Sequence, residues 1–185
     1  MKKGLQISGV IQKGLLLIIA SFFLISCEDN INEVRKINFK ELNPVGEAQN
    51  FNLKYTETGK IKAILDSPQM LDYSHLEFPF TEFPKGIKVT IYDDQGKQNF
   101  VTSNYAISYS GSNLIDLSGK VKITTFDGKM LETEQLYYDQ KNEWFFTQKQ
   151  YKYTDKGNVI NGVGIDFSKD FTVLDTQQIN GYYSL

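Results

Sequence analysis

The stretch Leu117–Phe146, LSGKVKITTFDGKMLETEQLYYDQKNEWFF, sets how the rest of the chain is understood. Val121 and Ile123 alternate with Lys120, Lys122 and Thr124, which is the period of a strand wetted on one side. Asp127-Gly128 then reverses the chain, because glycine accepts the positive φ of a tight hairpin turn. The return arm carries Leu131, Thr133, Leu136 and Tyr138 among glutamates, and a second polar turn at Asp139–Glu143 leads into Trp144-Phe145-Phe146. No helical stripe competes with these two hairpins. The expectation is an antiparallel, curved sheet whose inner surface is apolar.

The same grammar recurs on both sides of this stretch. Phe51, Leu53 and Tyr55 alternate before Thr58-Gly59-Lys60, and Ile61, Ala63 and Leu65 follow it, predicting a hairpin over 51–65. Pro68, Pro79 and Pro84 bracket a less regular stretch, since proline cannot donate a ladder hydrogen bond. Its aromatics Tyr73, Phe78, Phe80 and Phe83 are expected to cover one mouth of the apolar interior. Val89 and Ile91 lead into a turn at Asp93–Gly96, Phe100 opens the next strand, and Ala106–Tyr109 lies beyond a polar break. Downstream, Tyr151 and Tyr153 precede a turn at Asp155–Asn158, and Val163, Ile165 and Phe167 alternate around Gly162 and Gly164. Turn glycines at 59, 96, 128 and 157 stand 37, 32 and 29 residues apart. That spacing is too uneven for a solenoid but fits successive hairpins of similar length in a long sandwich or roll.

Composition narrows the function. Aromatics make up 14% of the 185 residues and the net charge is only -2, with no basic tract able to grip nucleic acid. One cysteine, Cys27, and one histidine, His75, exclude an internal disulfide and the usual Cys- or His-rich metal sites, and no cofactor is expected. Asp93-Asp94 reads as a solvated turn, and Glu132 with Glu134 as the wet face of a strand rather than an acid/base pair. HExxH, GxSxG and P-loop motifs are absent, and Gly162-Val163-Gly164 lacks the following glycine and βαβ context of a dinucleotide site. The chain is expected not to be an enzyme.

At the amino terminus, Lys2, Lys3 and Lys13 precede an apolar run, Leu15–Ile25, too short to cross about 30 Å of hydrocarbon comfortably. Leu24-Ile25-Ser26-Cys27 resembles the lipobox of bacterial lipoproteins. The resemblance implies a signal peptide over 1–26, cleavage before Cys27, and a diacylglyceryl thioether on its sulfur. Two or three chains would then make the anchor stable, where one alone is marginal. An uncleaved signal anchor, or a plain core cysteine, is the alternative. Residues 27–49 are mostly polar and are read as a tether, with the sheet domain over 50–180 and a short tail over 181–185.

The expected inward set is Val89, Ile91, Ile107, Tyr109, Val121, Ile123, Leu136, Tyr138, Phe146, Val163, Ile165 and Phe167. It serves either as a filled core or, in a roll left open along one seam, as a lining for acyl chains. Apolar burial contributes about 25 cal/mol per Å², so on the order of a few hundred Å² of lipid surface would bind usefully and reversibly. Periodicity alone does not separate the two.

Several segments in order carry a family resemblance: Tyr55–Lys60 before an alanine-bearing arm; Phe83-Pro84 before Ile87–Ile91; Leu117–Ile123; Leu131–Leu136; and Gly157–Gly162. Together with an amino-terminal membrane attachment, they make the chain similar to the LptC family from about Phe51 to Phe167. The resemblance implies an all-β fold, a twisted antiparallel β-jellyroll forming an elongated sandwich with an open seam. It implies receipt of lipopolysaccharide from the inner-membrane export ABC transporter and its transfer to a periplasmic, LptA-like bridge protein. Sheet edges would join these partners by β-augmentation, ATP would be hydrolysed by the transporter, and the location would be the periplasmic side of the inner membrane. The family's glycine positions fall on Gly59 and Gly162, and Gly119 matches a structural glycine before a strand. Many members keep an uncleaved transmembrane helix, whereas this leader ends in a lipobox, so the helix's contacts within the transporter would be absent or altered. The alternatives are an envelope scaffold lipoprotein with a closed core and a hydrolase with dispersed residues.

Overall fold

The computed structural model describes residues 43–180, and every regular element among them is a strand. In chain order these are β1 (Gly46–Glu57), β2 (Lys60–Asp72), β3 (Phe80–Phe83), β4 (Ile87–Tyr92), β5 (Gln98–Ser103) and β6 (Tyr105–Tyr109). They continue as β7 (Leu114–Thr124), β8 (Met130–Asp139), β9 (Trp144–Asp155), β10 (Asn158–Ser168) and β11 (Leu174–Asn180). All pairings are antiparallel and form one 11-stranded sheet, β11-β10-β9-β8-β7-β5-β4-β2-β3-β6, with β1 on the outer side of β2. β6 returns to pair with β7, which closes part of the sheet into a ring. The expected all-β roll is therefore what the chain forms.

The four recurring glycines are hairpin tips, and the register puts all four at one end of the roll. Thr58-Gly59 and Lys156-Gly157 have positive φ at both central residues, the two-residue turn whose twist matches that of its strands. Gly96 and Gly128 instead close three-residue loops, each donating its N–H back to the residue that opens the loop, Asp93 at 3.1 Å and Thr125 at 3.0 Å. Each needs the left-handed conformation that costs glycine least.

The long strands keep one face inward by slipping phase midway. Between Ser118 and Val121 the β7–β8 register shifts at Gly119 (φ 72°) and Lys120 (φ 51°). Further shifts lie between Thr133 and Tyr137 on β8 and between Val163 and Ile165 on β10, where Gly164 has φ 75°. On β8 the core residues are Leu131 and Thr133 before the shift and Leu136 and Tyr138 after it, an interval of three that breaks the period of two. This band of bulges crosses β7 where it changes partner from β6 to β5. A bulge bends its strand and increases the local twist, which lets strands this long curl. The curl brings strands that are not neighbours together: the ring of Phe51 on β1 lies 6.0 Å from that of Phe83 on β3, and both pack in one cluster with Phe145 of β9 and Phe167 of β10.

Four residues expected inside lie on the opposite face. On β6 the inward residue is Ala106, fully buried between Phe83 and Leu117, so Ile107 and Tyr109 point away from the core. In Trp144-Phe145-Phe146 three successive aromatics carry no parity, and it is Phe145 that is buried while Phe146 stacks outside on Tyr137. Val163 precedes the slip at Gly164 and pairs with the exposed Gln150, whereas Ile165 and Phe167 follow the slip and are buried. Two boundaries also differ. β1 reaches back to Gly46, so residues 46–49 are sheet rather than tether. Pro68 lies within β2, at a point between the β4-paired residues 63–66 and the β3-paired residues 71–72, where neither neighbour needs its missing N–H.

Candidate functional site

Two neighbouring lines of residues across the sheet define what the roll can do. The strand register aligns Leu53, Leu65, Val89, Val101, Ile123, Leu131, Tyr153 and Ile160, from β1 to β10, on the inner face. One residue along, the outer face aligns Asn52, Asp66, Lys88, Thr102, Lys122, Glu132, Lys152 and Asn161. The first line is apolar throughout and the second is polar throughout. A roll built this way has a greasy lining and a wet outer line, beside which Ile64, Phe100 and Met130 stand on the same outer face nearer the glycine turns.

The lining is sealed in the middle and open at one flank. Val121, Ile123, Leu131, Leu136, Ile165 and Phe167 are each no more than 1% exposed and fill the space between the layers. Val89, Ile91, Tyr138, Tyr153 and Ile160 are half-buried and pack against that core. On β1 and the start of β2 the lining reaches solvent, with Leu53 52%, Tyr55 59% and Ile61 41% exposed. β1 pairs only with β2, and β11 only with β10, so the sheet ends in two edges that have no strand partner among the described residues. Tyr138 sits where the lining becomes dry. Burial, then the negative charges of Glu143 and Asp139, push its phenol pKa up to about 12.

A second concavity lies where β2 parts from β4. It is an open cleft of about 460 Å³ bordered by Phe51, Ser67, Pro68, Lys85, Gly86 and Ser103, among others. Ser67 donates to the Gly86 carbonyl at 2.8 Å, and a side chain at Gly86 would meet the Ser103 carbonyl at 2.3 Å. The cleft therefore depends on a glycine at this loop.

Of the residues expected to matter, Val121, Ile123, Leu136, Ile165 and Phe167 form the sealed core, and Val89, Ile91 and Tyr138 join it at the margin. Gly59 is a turn with open space around it, and Gly119 is a bulge whose missing side chain leaves room for Asn104 Cβ at 3.1 Å. Gly162 has an ordinary φ, but a Cβ there would lie 2.3 Å from the Gln178 carbonyl and 2.6 Å from the Tyr151 hydroxyl. Its role is to let the Tyr151 ring cross the β9–β10 pair. Cys27, the signal peptide, most of the tether and residues 181–185 lie outside the described residues. The lining also takes in Leu53, Tyr55, Leu65, Tyr153 and Ile160, which the expected inward set lacks although the alternation of Phe51, Leu53 and Tyr55 carries the signal.

The carboxylates that stand close in sequence have structural work. Asp93 accepts from the N–H groups of Gln95 and Lys97 and so caps its own turn, while Glu132 faces Lys152 at 3.8 Å on the outer face. Among the described residues no three His, Cys, Asp or Glu side chains gather as metal ligands, and no helix is long and apolar enough to cross a membrane.

A curled antiparallel sheet with an apolar lining, a wet outer line and two edges without a strand partner among the described residues defines a class of all-β roll. The family model for lipopolysaccharide-assembly, LptC-related proteins matches residues 15–183. The chain belongs to the LptC family, a lipid-transport family that is generally non-enzymatic, periplasmic and associated with the inner membrane, and membership implies a part in lipopolysaccharide transport. No curated protein matches the chain.

Proposed function

We propose that this protein is a lipid-anchored periplasmic subunit that takes lipopolysaccharide from the inner-membrane ABC transporter and passes it to a periplasmic β-jellyroll bridge. The observation that carries the reading is the apolar inner line that is dry at β7 and β8 and open at β1. Acyl chains would lie along Leu53, Tyr55, Leu65, Val89 and Ile91, with the headgroup toward the open flank. The unpaired edges β1 and β11 would join related sheets at either end by strand addition, in which main-chain hydrogen bonds supply affinity. Cys27 would carry the anchor, and bond chemistry would remain with the transporter's ATPase.

A second reading is favoured by the buried middle of the roll, where Ile123, Leu136 and Phe167 are at most 1% exposed. It makes the protein a non-enzymatic envelope scaffold with a closed core. Photocrosslinkers placed at Leu53, Tyr55 and Ile91, with Asn52 and Lys54 as outer-face controls, separate the two. Lipopolysaccharide adducts confined to the first three support transport. Protein adducts alone, equal on both faces, support the scaffold and remove the transport reading. Leu53→Asp with Tyr55→Asp should abolish the lipid adducts while changing stability by less than about 1 kcal/mol, because both side chains are mostly exposed already.

A further inference from the structure

The outer face mixes lysines with acids along the line through Asp66, Lys88, Lys122, Glu132 and Lys152, but toward the end away from the glycine turns its charges are acids alone. There the register places Glu82, Ile107, Asp116, Tyr137, Phe146 and Asp166 in one line across β3 and β6 to β10. Two residues along, on the same face, Phe80, Tyr109, Leu114, Asp139 and Trp144 form a second line. All of these side chains are half-buried, on the face away from the core. This half of the sheet is thus largely apolar on both sides, which a simple two-layer roll does not require.

The carboxylates of the first line are held in place rather than neutralised. Tyr105 donates to Glu82 at 2.7 Å, Gln135 Nε2 to Asp116 at 3.0 Å, and Trp144 Nε1 to Asp166 at 3.2 Å. Each partner is neutral and each carboxylate keeps acceptor capacity to spare. Neither line contains a lysine or arginine, whereas the outer line at the other end carries Lys88, Lys122 and Lys152. Fixed acids set among aromatic rings are the composition of a protein interface, where Tyr, Trp and Phe are enriched at the centre. Tyr137 and Phe146 are stacked on each other at 5.1 Å, which covers one face of each ring. A second copy meeting this face with its own would place Asp116 and Asp166 against like charges.

We propose that this outer face docks a cationic amphipathic segment of a partner protein, its lysines or arginines pairing with Asp116 and Asp166 and its apolar side packing on Ile107 and Tyr137. The surface is separate from the lipid path, which uses the other side of the sheet, so either proposal stands without the other.

Trp144 is the only tryptophan in the chain and lies within the face, so its emission reports occupancy directly. The full-length protein is titrated with a synthetic amphipathic peptide of repeated Leu-Lys-Lys-Leu units, with the same peptide carrying Glu for Lys, and with a neutral malto-oligosaccharide. A saturable shift in Trp144 emission with the lysine peptide alone is expected. Affinity should fall about tenfold in the D116N/D166N double variant, the effect of about 1.4 kcal/mol, and should be unchanged in D66N/E132Q, whose acids lie on the other outer line. The proposal is overturned if the glutamate peptide or the oligosaccharide binds equally well, or if D116N/D166N binds as the native chain does. It is also overturned if emission shifts with protein concentration alone, which would make the occupant a second copy. The peptide charge swap decides the matter even if the double variant fails to fold.

Discussion

Phe167 lies fully buried between the rings of Phe145, at 5.2 Å, and Phe171, at 4.8 Å, whereas Phe146 stacks on Tyr137 on the far side of the sheet. Truncating the first leaves a cavity that the rigid sheet cannot close, so Phe167→Ala should cost about 3–5 kcal/mol, a large share of a domain's stability. Phe146→Ala, at a half-buried outer position, should cost less than half of that, and urea unfolding of the two variants measures the difference. Equal losses would mean that the outer face is as tightly packed as the core. Tyr138 gives a pH-dependent counterpart. Its folded pKa of about 12 lies above the ordinary 10, so the folded state holds the proton more tightly than the unfolded chain does. The stability linked to this phenol is intact below pH 10 and is lost as pH rises from about 10 to about 12. Tyr138→Phe should flatten that alkaline loss without abolishing it, because burial also raises the phenols of Tyr109 and Tyr151. Urea midpoints taken across the window measure it, and an unchanged slope in the variant would exclude Tyr138 as a source.

Between strands, the β10–β11 pair depends on Gly162. A methyl group there would press on the Gln178 carbonyl and on Tyr151, so Gly162→Ala should release β11 before it disturbs the core. Hydrogen exchange should show lost protection in Leu174–Gln178 with β7 and β8 unchanged, at a cost of about 1–3 kcal/mol. Protection retained throughout β11 would show that Tyr151 can swing aside. Gly59 makes a contrast, since its surroundings are open and only its φ of 78° asks for glycine. The sequence marks Gly59 as a turn but does not tell that Gly162 makes room for a ring packed across it. It places the hairpins well, because a turn is written in its own few residues. It misplaces Ile107 and Tyr109 because the larger side chains draw the inward assignment, whereas the tight meeting of β3, β6 and β7 has room for Ala106 inside.

For the roll taken together, stability rests on the sealed core rather than on charge. The ion pairs Lys62–Asp94, Lys129–Asp127, Lys152–Glu132 and Lys169–Glu143 all join side chains that reach solvent. Exposed pairs are worth about 0–1 kcal/mol each and are screened by salt. Raising the salt concentration should therefore move the urea midpoint only slightly, and a marked fall would assign the surface pairs a part in holding the roll closed. The same insensitivity should not extend to the acidic outer face, where any cationic segment binds through charge and salt should weaken it.

Alternation and turn glycines are local properties that need no neighbour to be read, so a roll of antiparallel hairpins with one greasy and one wet surface follows from the residues alone. The order of the segments likewise carries the family. Which surface of each strand faces inward is fixed only when the strands pair, since parity is defined relative to a neighbour and a single bulge, as at Gly119-Lys120 or Gly164, shifts it by one residue. For the same reason it takes the assembled sheet to make the lining sealed at β7 and β8, open at β1, and backed at one end by an outer face of aromatic rings and acids.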